Sequence, residues 1–129
     1  MAPFHVVVAV GTEGQMAALL PLGCRLAAAH NGRITLLTIT AGGERPPWLI
    51  VAETCGAVPV QAVVRRGADP AAGIQAALRN EPADLLVLGW RGQPGKGRYL
   101  VGRTLDPLIQ GAPCDVIVVS IGSGRPLPP

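Results

Sequence analysis

The chain is predicted to fold as an α/β domain: one doubly wound, five-stranded parallel sheet with helices on both faces. Three observations predict it. Apolar runs without polar alternation, such as Val6–Val10 and Leu85–Leu88, recur along 129 residues; such runs suit strands covered on both faces. Segments with helical spacing separate them, so the order is β-α-β-α-β-α-β-α-β, with right-handed crossovers. The composition is 49% hydrophobic but only 3% aromatic, so Ala, Val, Leu and Ile must build the core, and small side chains suit close helix-on-sheet packing.

Val6–Val10, ended by Gly11, is the first strand. A helix is expected over Gln15–His30, with Met16, Leu19, Leu20 and Leu26 at helical spacing and Asn31-Gly32 as its stop. Pro21 and Gly23 inside it should kink or weaken it. Ile34–Thr40 is the second strand. Gly42-Gly43 and Pro46-Pro47 mark a loop, and Trp48–Cys55 reads as a short helix. Val60–Val64 is the third strand. Asp69-Pro70 then starts a helix, a capping carboxylate before proline at the first helical position, with Ile74, Ala77 and Leu78 as its buried stripe. Leu85–Leu88 is the fourth strand, Leu105–Gln110 a short helix and Val116–Val119 the fifth strand. Residues 1–121 form one domain, and 122–129, with three prolines, form a loose tail.

The net charge of +3 rests on ten Arg and one Lys. Bases are not clustered in runs or interleaved with aromatics, which argues against a nucleic-acid partner. Cys24, Cys55 and Cys114 are odd in number and widely spaced. They read as small apolar residues in a reducing compartment, not as a disulfide framework or a zinc site. No leader pattern and no membrane-spanning apolar run are visible, so a soluble, cytoplasmic protein is expected.

The most informative segment is Gly89–Thr104, with five glycines, four cations (Arg91, Lys96, Arg98, Arg103) and no acid. It leaves the carboxyl end of the fourth strand, where ligands bind in doubly wound sheets. Glycine lets backbone N–H groups approach a polyphosphate, and a helix N-terminus adds partial positive charge. The segment is not a P-loop, because Trp90 stands where glycine is needed and Gly97 where Ser or Thr is needed. Nor is there a dinucleotide fingerprint, since the first strand is followed by Gly11-Thr12-Glu13-Gly14. What remains is Gly89-x2-Gly92-x9-Gly102.

On that spacing the chain resembles the universal stress protein family, whose ATP-binding members carry G-x2-G-x9-G-[S/T] between the fourth strand and fourth helix. Val8–Val10 with Thr12, Arg66–Pro70, Ala83–Gly89 and Ala112–Val119 extend the resemblance over residues 5 to 119. It implies strand order 3-2-1-4-5, ATP (with or without Mg²⁺) between strands one and four, and homodimers pairing at Val116–Val119. By position, Gly89, Gly92 and Gly102 would approach phosphates and ribose. Val10, Gly11 and Ile39 would lie near ribose and adenine, Arg103 could contact a phosphate, and Thr12, Leu88 and Thr104 complete the expected nucleotide-binding set. Two departures stand out. Arg103 occupies the Ser/Thr position, and Gly11 stands where relatives commonly place Asp. Losing a charge-assisted hydrogen bond of roughly 1.5–3 kcal/mol weakens binding about tenfold or more, and a bidentate Arg103–phosphate contact would offset it.

Other candidates have simpler readings. His30 suits a helix C-terminus, His5 begins a strand without an obvious partner, and Asp69 is a cap. Asp84 and Asp115 are turn residues, and Glu13 alone is a weak metal signal. Trp90 more simply covers its loop than stacks on a base. No catalytic constellation is visible, so the expected function is an adenine-nucleotide-binding regulatory, stress-response protein without efficient catalysis. The alternatives are a nucleotide-free dimeric interaction module acting on a protein partner, a regulatory domain of a larger protein such as a transporter, and, last, a slow hydrolase. Gly102→Val should abolish ATP binding by blocking backbone approach; unchanged affinity in a calorimetric titration contradicts the assignment.

Overall fold

The computed structural model describes residues 3–90, 108 and 110–121. In chain order the elements are β1 (His5–Ala9), α1 (Glu13–Ala29), β2 (Arg33–Thr40), β3 (Thr54–Cys55), β4 (Val58–Arg66), α2 (Pro70–Asn80), β5 (Leu85–Trp90) and β6 (Asp115–Ser120). They form one sheet in the order β3-β4-β2-β1-β5-β6. Its five long strands are parallel and stand in the expected 3-2-1-4-5 order. The expectation of five strands needs one correction. β3, two residues long, pairs antiparallel with β4 and makes a sixth strand at that edge.

Side chains alternate across a strand, and both faces of this sheet are covered. On one face Val6, Val8, Ile34 and Leu36 pack with Leu19 and Ala27 of α1. On the other, Val7, Ala9 and Leu37 pack with Ala71, Ile74 and Leu78 of α2, and with Leu108. Of the short helix expected over Leu105–Gln110, Leu108 and Gln110 are described and are helical. The tail 122–129 lies outside the described residues.

Thr12 caps α1, its Oγ1 accepting from Gln15 N at 3.1 Å. The helix runs unbroken through Pro21 to Ala29. Asn31, at φ 52°, then takes the left-handed conformation that turns the chain, and Gly32 N donates to Ala27 O at 2.7 Å. Gly23 is explained by packing: a Cβ there would lie 2.6 Å from Val8 Cγ2, so α1 approaches β1 more closely than any other residue allows. Asp69 caps α2 as expected, its Oδ1 accepting from Ala71 N at 3.2 Å. His30 is the C-cap of α1 and stacks on Phe4, with ring centroids 4.2 Å apart.

Three expectations are overturned. Trp48–Cys55 is not a helix: Trp48 sits in a turn, Leu49–Ala52 is irregular, and Thr54-Cys55 is β3. Carbonyls of this segment are engaged outside any helical ladder, Leu49 O being one that a helix over 48–55 would use internally. Leu49 O accepts from Arg45 Nε and Nη2 at 3.2 and 2.9 Å, and Glu53 O accepts from Val60 N at 2.7 Å. β-branched Ile50 and Val51 add little helix propensity to resist this. Cys24 and Cys55 are not separate buried thiols but a disulfide, with Cα atoms 6.3 Å apart. Cys114 remains free. Count and spacing could not reveal the pair, because β3 carries Cys55 alongside α1. A closed loop of this size (sequence separation 31) stabilises by about 3–4 kcal/mol in the chain-entropy picture. Finally, His5 has partners: it is buried, with Nδ1 2.9 Å from Pro82 O and Nε2 2.8 Å from Thr35 Oγ1. Asp84 serves β1, its Oδ2 accepting from His5 N at 2.8 Å.

Gly23→Val should cost about 2 kcal/mol in urea denaturation, because Val8 is rigid and fully buried. Gly14→Ala, whose Cβ meets only Thr12 Oγ1 at 3.9 Å, should instead gain up to about 1 kcal/mol.

Candidate functional site

A pocket of about 250 Å³ opens at the carboxyl ends of the central strands, lined by Ala9, Val10, Gly11, Gln15, Leu37, Ile39, Pro70, Ile74, Leu88 and Gly89. The topology puts it there. β1 connects over one face to β2, while β5 pairs on the other side of β1, so the crossovers diverge and leave a crevice. The floor is apolar: Ala9, Leu37, Ile74 and Leu88 all belong to the core on the α2 face. The N-termini of α1 and α2 stand at the rim through Gly11, Gln15 and Pro70. Both add partial positive charge at this end of the sheet.

Several backbone polar groups at the mouth are already engaged. Gly11 N donates to Gln15 Oε1 at 2.6 Å. Val10 N donates to Leu37 O, and Val10 O accepts from Thr38 Oγ1, each at 2.9 Å. The Gln15 side chain thus folds back over the end of β1 and holds the amide that a polar ligand group would meet. Ile39 forms part of the wall and is seated between two glycines. A Cβ at Gly67 would lie 3.1 Å from Ile39 Cγ2, and one at Gly73 2.9 Å from its Cδ1.

Of the expected binding residues, Val10, Gly11, Ile39, Leu88 and Gly89 line this pocket. Thr12 caps α1 and is not among the lining residues. Gly92, Gly102, Arg103 and Thr104 lie outside the described residues, as do Arg91, Lys96, Arg98 and the side chain of Trp90. Ala9, Gln15, Leu37, Pro70 and Ile74 were missed. Pro70 and Ile74 could have been found from the Asp69-Pro70 start, which aims the first turns of α2 at the strand ends. Nothing in the sequence marks the backward fold of Gln15. No group of acidic, His and Cys side chains able to hold a metal occurs among the described residues.

The two glycines in the pocket are small for different reasons. A Cβ on Gly89 would lie 2.6 Å from Ile121 Cδ1 and 3.2 Å from Leu19 Cδ1, so packing on the α1 side demands glycine there. A Cβ on Gly11 would meet only Gln15 Oε1, at 3.5 Å, an ordinary contact.

The model of the universal stress protein family matches residues 48–120, more than half of the chain. Among solved structures, the chain is similar to the universal stress protein UspA from Lactobacillus plantarum, at TM-score 0.67 and 21% identity, covering 92% of this chain and 99% of that one. A universal stress protein from Archaeoglobus fulgidus gives TM-score 0.66 and 16% identity, covering 92% of this chain and 95% of that one. A universal stress protein in complex with cAMP gives TM-score 0.72 and 25% identity, covering 93% of this chain and 98% of that one. No curated protein matches the chain.

Gly89→Ala should destabilise the ligand-free protein by about 1–3 kcal/mol, whereas Gly11→Ala should stay within about 0.5 kcal/mol of the parent. Thermal denaturation of both variants without ligand checks this; equal losses would contradict the distinction.

Proposed function

Because the chain belongs to the universal stress protein family, we propose that its pocket binds an adenine nucleotide, ATP, and that the protein works as a nucleotide-dependent regulator rather than an efficient enzyme. The observation that carries this reading is the pocket at the strand ends, where Val10, Gly11, Ile39, Leu88 and Gly89 meet. The relative solved with cAMP supports an adenine ligand. The pocket's 250 Å³ falls just below the roughly 300–1,000 Å³ usual for small-molecule sites. It suits a base with its ribose, leaving the phosphates to reach toward Gly89 and the glycine-rich residues beyond it. The apolar floor supplies burial for the base, and the two helix N-termini favour the phosphate charge.

No general base is presented by the pocket's described lining: Gln15 is its one side chain with polar atoms, and an amide does not take up a proton at neutral pH. Retention of the nucleotide, with or without Mg²⁺, rather than efficient turnover is the outcome this reading proposes. Val116–Val119 lie on β6, an edge of the sheet, and pairing of two copies along that edge is the proposed dimer contact. No helix among the described residues is long and apolar enough to cross a membrane, and the cytoplasm is the proposed compartment. A second reading, a nucleotide-free interaction module, is favoured by one observation: Gln15 already occupies the Gly11 amide.

Thermal unfolding with and without millimolar Mg-ATP, ADP, AMP and cAMP separates the two. A nucleotide at 100 times its dissociation constant adds about 2.7 kcal/mol, which raises the midpoint by several degrees in a domain of this size. A rise with ATP supports the first reading. No rise with any of the four favours the second.

A further inference from the structure

Along the outer side of α1 runs a groove of about 630 Å³, separate from the nucleotide pocket and lined by Met16, Leu20, Pro21, Cys24, Arg25 and Cys55, among others. Both cysteines of the single described disulfide therefore border one open groove, and both are only partly buried. A disulfide sealed in a core is protected from attacking thiols, whereas an exposed one exchanges. Arg25 is the charged residue among the described lining. A guanidinium beside a thiol favours the thiolate, which is the nucleophile in exchange, and it also attracts anionic partners.

We propose that Cys24 and Cys55 form a reversible dithiol–disulfide site that reacts with anionic low-molecular-weight disulfides and clasps the β3–β4 hairpin to α1. In the reduced chain, one cysteine thiolate attacks a disulfide RSSR, displacing RS⁻ and leaving a mixed disulfide. The second thiolate attacks the protein sulfur of that mixed disulfide, forming the Cys24–Cys55 bond and releasing a second RS⁻. The two protons lost by the cysteines pass to these leaving groups. The protein dithiol is oxidised by two electrons, and RSSR is reduced to 2 RSH.

The fold limits the exchange to this pair. Cys24 and Cys55 pack against the core on the α1 face, while Cys114 packs on the α2 face, so the sheet separates them. Cys114 is also a poor nucleophile: burial, and then the charges of Asp115 and Asp84, push its thiol pKa up. What the bond controls is local. Of the two residues of β3, Cys55 carries the link, and the stretch ahead of it, residues 41–53, has no regular structure. It is also held by the Arg45–Leu49 bonds, the Thr40–Glu44 bond, the Glu53–Val60 bond, the burial of Leu49 and the packing of Trp48 and Val51 against the core. The clasp fixes the far end of that stretch to α1.

The test uses the full chain carrying Cys114→Ser, equilibrated in glutathione buffers from fully reduced to fully oxidised, then trapped with a maleimide–polyethylene glycol. The bonded fraction should move from near zero to near complete across the series without unfolding. Adding Cys24→Ser should leave Cys55 carrying one glutathione in the intact mass. Amide hydrogen exchange over 41–57 should be slower in the bonded form, with β1 and β5 unchanged. A pair that stays bonded or stays reduced at every ratio, or identical exchange over 41–57 in both forms, overturns the proposal.

Discussion

Everything in this molecule is arranged about β1, a strand of five residues of which every one is buried. A strand in that position must satisfy its backbone with a neighbour on each side and its side chains with a layer on each face. β2 and β5 provide the neighbours, and α1 and α2 provide the layers. His5, the one polar side chain in the strand, is admitted because Pro82 O and Thr35 Oγ1 meet its two ring nitrogens. The pocket follows from the same arrangement. Where β1 stops at Ala9, its neighbours run on, and Val10, Gly11 and Gln15 stand at the gap above it.

What could be read from residues was whatever local chemistry determines. Runs rich in apolar and β-branched residues located the five parallel strands, and Asp69-Pro70 located the start of α2. What could not be read depended on partners distant in sequence. Trp48–Cys55 is apolar enough to suggest a helix, yet Arg45 and Val60 bind its carbonyls. A helical reading puts Cys55 at a helix end rather than on the edge strand β3, and its bond to Cys24 is invisible to counting and spacing. The candidate site divides in the same way. Val10, Gly11, Ile39, Leu88 and Gly89 were reachable through the family resemblance, whereas Gln15 enters through a side-chain rotamer that no pattern encodes.

Glycine illustrates the difference between a residue kept by ligand and one kept by neighbours. Gly23, Gly73 and Gly89 each leave room for a neighbouring side chain: Val8, Ile39 and Ile121 respectively. A spacing pattern that includes Gly89 therefore draws on two constraints at once. Packing and phosphate approach select the same residue, and sequence alone cannot separate them. Gly11 has no such neighbour to protect, which leaves its smallness to be accounted for at the mouth of the pocket.

The hydrogen bond from His5 N to Asp84 joins positions 79 apart in the chain, and it bears on the order in which the molecule assembles. β1, α1 and β2 are contiguous and can form a β-α-β unit early, closing only short loops. The other side of β1 must wait until β5 is available, after a closure whose entropy grows with the intervening length. During that interval the half-built unit presents an unpaired, valine-rich strand edge, the kind that recruits other chains. The strand best protected in the finished protein is thus the one most exposed to misassembly on the way to it.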